Sequence, residues 1–224
     1  MKKIVFLLFV TASIMAQDWA NLSRFAEENK KINVNENSES RVVFMGNSIT
    51  EGWIKSDPDF FKKNNFVNRG ISGQTTPQML LRFRQDVINL KPAAVVILAG
   101  TNDLAGNTGP TTIEAIEGNL ISMCELAKLN GIKVILCSIL PAYDYWWNPG
   151  VFPTEKIITI NSWIKSYATE NNFGFVDYFS ATADAEKALD KRYSGDGIHP
   201  NEVGYSVMKK LVLSEISKVL NTKN

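Results

Sequence analysis

Apolar residues along this chain follow two alternating rhythms. Short unbroken runs at 41–45, 66–68, 93–99, 133–138 and 174–177 are apolar on both sides of the chain. That pattern predicts strands buried on two faces, as in a parallel sheet covered by helices. Between the runs, apolar residues recur at steps of three and four, the period of one helix face. Ile113, Ile116, Leu120, Met123 and Ala127 form one such face. Thr111 and Glu114 have capping-box spacing at its start, and Gly131 stops it. Residues 154–171 repeat the device with Ile157, Ile160, Ile164 and Tyr167. Residues 202–220 do so with Met208, Leu211, Val212 and Val219, Glu215 facing outward. Residues 17–31 are expected to add an N-terminal helix.

Strand–helix alternation predicts a doubly wound α/β sandwich. Right-handed crossovers then collect the loops that follow the strands along one edge of the sheet, which is where open α/β sheets bind ligands. Four polar or glycine-containing clusters fall at that edge or near the C-terminus. They are Gly46-Asn47-Ser48-Ile49-Thr50, Asn68-Arg69-Gly70-Ile71-Ser72-Gly73-Gln74-Thr75, Gly100-Thr101-Asn102-Asp103 and Asp196-Gly197-Ile198-His199.

The chain of 224 residues fits one such domain. Its beginning reads differently. Lys2 and Lys3 precede an apolar run at 4–15 that is too short to span a bilayer, and Ala16 offers a small residue for cleavage. Residues 1–16 are therefore expected to be a secretory signal peptide and residues 17–224 the domain, exported to the periplasm or the medium. No cysteine near the cleavage point suggests a lipid anchor, and no later stretch predicts a membrane span. Without Lys2 and Lys3, 22 basic residues face 23 acidic ones, a balance that argues against a nucleic-acid surface. Cys124 falls in a predicted helix and Cys137 in a predicted strand, so two buried free thiols are expected.

His199 is the single histidine, and imidazole is the usual general base near neutral pH, with an unperturbed pKa of about 6.5. Asp196, three residues upstream, can orient it through Nδ1 while Nε2 faces a nucleophile. Ser48, directly after the first strand, is the candidate nucleophile, since a serine hydroxyl attacks only when a base takes its proton. Ser72 and Ser194 are rivals, but neither follows the first strand. The oxyanion of an attacked carbonyl needs fixed donors. The Ser48 N–H, the Gly73 N–H and the Asn102 side-chain amide are the candidates. One histidine cannot build the usual two-histidine metal motifs, and no Walker-type loop or dinucleotide fingerprint is present, so no metal or organic cofactor is expected. There is also no Gly-x-Ser-x-Gly elbow of the α/β-hydrolase kind.

With Ser48, Gly73, Asn102 and His199 in this order, the chain resembles the SGNH hydrolases, also called GDSL-type esterases. The Gly-Thr-Asn-Asp and Asp-Gly-Ile-His-Pro segments carry the resemblance most specifically. It implies a flavodoxin-like three-layer α/β/α sandwich around a five-stranded parallel sheet. It also implies Ser48 as nucleophile, His199 as base and Asp196 as its orienting acid. One position departs from the family: Asn47 stands where its first block usually has aspartate.

The aromatic stretch from Tyr143 to Trp147 follows the fourth strand. Tyr145, Trp146 and Trp147, joined by Trp53, are expected either to wall a substrate site or to form a packed lid or interface. Arg69 is expected to meet an anionic group or to pair with a structural carboxylate. The reading these features support is an exported serine esterase that removes a small acyl group, acetyl above all, from a small-molecule or glycan alcohol. A lysophospholipase or platelet-activating-factor-type acetylhydrolase is the alternative enzyme. A non-catalytic glycan-binding protein is the alternative of another class. A flavin-binding flavodoxin fits less well, because the first loop lacks a phosphate-cradling Ser/Thr-rich pattern.

Overall fold

The computed structural model describes residues 18–222; the expected leader at 1–16 lies outside them. Five strands form one parallel sheet: β1 (Val42–Gly46), β2 (Phe66–Gly70), β3 (Ala94–Leu98), β4 (Lys133–Cys137) and β5 (Gly174–Val176), in the spatial order β2-β1-β3-β4-β5. The helices are α1 (Ala26–Lys31), α2 (Ser48–Ser56), α3 (Pro58–Lys63), α4 (Thr76–Asp86), α5 (Thr101–Leu104), α6 (Ile113–Leu129), α7 (Thr154–Glu170), α8 (Tyr178–Thr182) and α9 (Glu202–Asn221). The three-layer flavodoxin-like sandwich is thus present. Its strand order reverses between β1 and β3, the point at which such sheets open a crevice for ligands.

The period-two geometry of a strand explains why the runs are apolar throughout. Val43, Met45, Val95, Ile97, Val134 and Leu136 face one layer, where α4, α6 and α7 supply Phe83, Leu120 and Ile160. Val42, Phe44, Val96, Ile135 and Cys137 face the other, where α2, α3 and α9 supply Trp53, Phe60 and Met208. Cys124 packs in the first cluster and Cys137 in the second, so the sheet separates them; both are free and buried. Burial pushes the Cys124 thiol up to about 12.

Two local expectations are corrected. The N-terminal helix is confined to Ala26–Lys31. Before it, the Asp18 carboxylate accepts the Leu22 and Ser23 N–H groups (2.7 and 2.9 Å), and Asn21 adopts a left-handed φ of 55°. Together these fold the segment into turns. The cap of α6 is Thr112 rather than Thr111: Thr112 has extended backbone, and its hydroxyl accepts the Ala115 N–H.

The second layer contains an aromatic cluster centred on Trp53. Its indole is 2% exposed and stacks between Phe60 (5.0 Å, 18°) and Tyr205 (5.4 Å, 26°). Among the described residues its Nε1–H has no acceptor. Trp53→Ala is therefore expected to cost about 3–5 kcal/mol in urea unfolding. Trp53→Phe should cost clearly less, because it forfeits no hydrogen bond.

Candidate active site

The ends of three strands are level. Gly46 of β1 is in register with Gly70 of β2 and Leu98 of β3, so the loops bearing Ser48, Gly73 and Asn102 leave the sheet side by side. The first turn of α2 lies directly over them. A Cβ at position 70 would come within 2.2 Å of the Glu51 nitrogen, so only glycine allows this approach. Asn68 fastens the same turn by donating to the Thr50 carbonyl (2.6 Å) and accepting the Gly70 N–H (2.9 Å).

Ser48 is the first residue of α2, and Asn47 is its N-cap, with Oδ1 accepting the Ile49 N–H at 3.0 Å. The departure at position 47 thus keeps the capping function, which asparagine and aspartate perform equally well. Capping and candidate chemistry coexist in this segment.

His199 reaches Ser48 from the far end of the chain, with Nε2 3.0 Å from the serine Oγ. On its other side Nδ1 lies 2.7 Å from Asp196 Oδ2. Asp196 Oδ1 also accepts the backbone N–H groups of Ile198 (2.9 Å) and His199 (2.8 Å). Partial burial pushes the Asp196 carboxyl up, but the His199 ring and these N–H groups overcome it and hold it at about 2. A carboxylate only accepts, so Nδ1 carries the hydrogen and Nε2 presents its lone pair to Ser48. Ser194 shapes this loop: its hydroxyl donates to the His199 carbonyl (2.8 Å) and accepts the Gly197 N–H (2.9 Å). That role takes the place of its rival candidacy as nucleophile. Ser72 is likewise engaged, with both its N–H and its hydroxyl bonded to Glu51.

Three groups are the candidate donors for an oxyanion: the Ser48 and Gly73 N–H groups and the Asn102 side-chain amide. Among the described residues, the Ser48 and Gly73 N–H groups have no protein acceptor. Gly73 has φ of +77°, a conformation that favours glycine. Asn102, 3% exposed, gives one amide hydrogen to the Gln74 carbonyl (2.9 Å), which leaves its second available. Its neighbour Asp103 is buried, which pushes its carboxyl up; it accepts the Thr76 N–H (3.0 Å) and hydroxyl (2.5 Å) at the start of α4. Asn107 is a contributor that sequence pattern did not reveal. It donates to the Gly73 carbonyl (3.0 Å) and accepts the Trp147 Nε1–H (2.9 Å).

The expected aromatic wall divides. Trp53 is a core residue, as described above. Tyr145 is fully buried, with its hydroxyl 3.0 Å from Thr101 Oγ1; neither is placed to touch a substrate. Trp53 packs in the core on one side of the sheet and Tyr145 in the core on the other. Trp146 is 66% exposed, and Trp147 is half-buried beneath it, ring centroids 5.2 Å apart. Arg69 pairs with Glu28 (3.4 Å), bonds Asn29 and lies over the Phe25 ring, a structural role.

Two grooves have Ser72 in their linings. One, of about 590 Å³, is lined by Ser48, Glu51, Lys55, His199, Glu202 and Tyr205 among others. The other, of about 450 Å³, lies on the Gly73 side. Among the described residues, no group of three or more His, Cys, Asp or Glu side chains is arranged to hold a metal ion, and no helix is long and apolar enough to cross a membrane.

The family described as GDSL-like Lipase/Acylhydrolase matches residues 44–207, which include every candidate residue from Ser48 to His199. A crystal structure from Bacteroides fragilis is 51% identical, covering 92% of this chain and 100% of that one, with a TM-score of 0.89. A GDSL-like lipase from Bacteroides thetaiotaomicron is 50% identical, covering 89% and 98%, with a TM-score of 0.86. The acetylxylan esterase of Xylanibacter ruminicola is 27% identical over 218 residues, 79% of this chain and 43% of that protein. The chain spans about half the length of the curated relatives it matches.

The approach of His199 to Ser48 depends on α9 being docked on α2, where the Tyr205 hydroxyl donates to the Ile49 carbonyl at 2.9 Å. Tyr205→Phe keeps the ring but removes that hydrogen bond, so a loss of about 0.5–1.5 kcal/mol is expected in urea unfolding, with an unchanged m-value.

Proposed function

The chain belongs to the GDSL-like lipase/acylhydrolase family, and from that membership we propose that it is an exported serine esterase that removes a small acyl group, acetyl above all, from a carbohydrate alcohol. The observation that carries the chemistry is the Ser48–His199–Asp196 relay, with contacts of 3.0 and 2.7 Å. In the proposed reaction His199 Nε2 takes the Ser48 proton as Oγ attacks the ester carbonyl carbon. The oxyanion so formed is received by the Ser48 and Gly73 N–H groups and the free hydrogen of the Asn102 amide, donors already fixed before charge develops. His199 then gives its proton to the departing alkoxide. Water, activated by the same imidazole, releases the acid from the acyl-serine. Asp196 stays ionised throughout and stabilises the imidazolium.

The size and polarity of the substrate follow from what lines the grooves. Beside His199, where the leaving alcohol must sit, the lining includes Glu51, Lys55, Ser56, Asn201 and Glu202 and no aliphatic side chain larger than proline. On the Gly73 side the sole aliphatic lining residue larger than alanine is Ile71. Neither groove offers a run of aliphatic side chains along which a long acyl chain could lie, which favours a short acyl group over a lysophospholipid. The acetylxylan esterase relative supports the carbohydrate class. Export rests on the leader pattern of residues 1–16, with Lys2 and Lys3 ahead of the apolar run.

Ser48→Ala should abolish ester hydrolysis and fluorophosphonate labelling while leaving the fold intact; turnover near the wild-type level would reject the assignment. In a panel of aryl esters, kcat/KM should be highest for acetate and fall with chain length, with a rise toward decanoate counting against a short acyl site. The pH dependence has a definite sign. Because Asp196 is held at about 2, it remains a carboxylate wherever the protein is assayed. Asp196 should therefore contribute no step to any acidic loss of kcat/KM until the pH approaches that value. Asp196→Asn should lower kcat by about 10²–10⁴ across the whole range.

A further inference from the structure

We propose that the groove bounded by Trp19 and Trp147 binds a sugar unit of the same glycan chain that carries the ester, adjacent to the esterified unit. This rests on the carbohydrate-ester reading above and adds a site to it. The groove, of about 450 Å³, has Gly73 on its wall and is lined further by Asn21, Gln78, Asn107 and Thr108. Ser72 lines both this groove and the His199-side groove. A chain whose esterified unit places its oxygen at His199 thus runs on past Gly73 into this second groove.

The lining chemistry selects the ligand. A pyranose presents flat C–H faces, which pack on indole rings, and an edge of hydroxyls, each both donor and acceptor. Side-chain amides offer both functions on one group, and Asn21, Gln78 and Asn107 supply them here. The only ionisable lining residue is Asp18, and its carboxylate is engaged by the Leu22 and Ser23 N–H groups. The groove therefore offers neutral polar groups and two aromatic planes, which suit a neutral sugar better than an anion or a fatty chain.

The Trp147 indole and the backbone that carries Trp19 are held in place before any ligand arrives. Trp147 donates Nε1–H to Asn107 (2.9 Å) and packs at 5.0 Å on the buried Tyr145 ring. Trp19 belongs to an N-terminal segment fastened to the start and length of α4 by three glutamines. Gln78 donates to the Trp19 carbonyl (2.7 Å), Gln74 to Ala20 (2.7 Å) and Gln85 to Leu22 (2.6 Å). Its side chain remains 46% exposed, and among the described residues its ring stacks on no other aromatic. An exposed tryptophan on a tightly fastened backbone loses little further freedom on binding.

The test uses the full chain with three substrates: an aryl acetate, an acetylated monosaccharide and an acetylated oligosaccharide. Wild type should prefer the oligosaccharide over the monosaccharide in kcat/KM. Trp19→Ala should reduce that preference about tenfold, through KM. Trp19 is the informative position, because Trp147 also touches Asn107 and through it Gly73. As a readout independent of turnover, unacetylated oligosaccharide should quench tryptophan fluorescence saturably in the Ser48→Ala chain, and not in Ser48→Ala/Trp19→Ala. An oligosaccharide preference that is absent in wild type, or unchanged in Trp19→Ala, overturns the site while leaving the esterase reading standing. Turnover of the aryl acetate with none of either sugar ester removes the carbohydrate reading, and this site with it.

Discussion

The arrangement depends on the docking of α9 against α2. Ser48 and His199 are 151 residues apart, and one neutral hydrogen bond contributes only about 1 kcal/mol net. That is too little to hold two chain segments in register. Their approach is inherited from larger contacts: Trp53 stacked on Tyr205, the Tyr205 hydroxyl on the Ile49 carbonyl, and Lys209 on Asp57 at 2.6 Å. Gly52 makes this possible, since a Cβ there would lie 2.8 Å from the Tyr205 hydroxyl. The aromatic cluster under α2 is thus what sets the distance between the proposed nucleophile and its base.

A second rigid body fixes the proposed donors. The peptide bearing the Gly73 N–H is held from both ends. Glu51 accepts the Ser72 N–H (2.8 Å) before it, and Asn107 takes the Gly73 carbonyl after it. Beneath lies Arg82, wholly buried, donating to the Gln74 side chain (2.6 Å) and to the carbonyls of Gly46 (3.1 Å) and Arg69 (2.8 Å). Burial pushes this guanidinium down to about 10 against the opposing pull of Asp86. Such a buried ion adds little net stability. Its geometric effect is specific: one planar group ties the ends of β1 and β2 to the loop that follows β2. Donors aimed in advance need no reorganisation when charge develops, which is the physical advantage of a stiff polar layer.

How much of this could be read from the chain follows from the range of the forces involved. The five strands were legible because burial on two faces leaves uninterrupted apolar runs, and α6, α7 and α9 because their one-sided burial leaves a period. The shortening of the N-terminal helix was not, because the cause is tertiary: the carbonyls of Trp19, Ala20 and Leu22 are bound by glutamines more than 50 residues away. Ser48, Gly73, Asn102 and His199 stood out as polar or small residues at loop positions where a sheet edge would gather them. Asn107 and Glu51 did not, since an asparagine in a turn and a glutamate in a helix are unremarkable until the loop they hold is seen. Trp53 and Tyr145 misled for the opposite reason. Large rings near a sheet edge pack inward as readily as outward, and adjacency to the loop does not reveal the direction.

Asn47 shows how structural and chemical demands meet at one position. The strand-to-helix turn needs a side-chain acceptor to begin α2, and asparagine supplies it at 3.0 Å to the Ile49 N–H. The N–H of Ser48 itself, the first of the helix, is left without a partner, as the opening N–H groups of any helix are. In the proposed reaction, the space where the oxyanion forms lies before that group and the positive end of the helix dipole. An aspartate at 47 would cap the helix equally well but would set a negative charge one residue from that space. Asparagine caps without the charge, so this departure from the common family pattern preserves the fold of the turn and leaves its field more favourable to a developing anion.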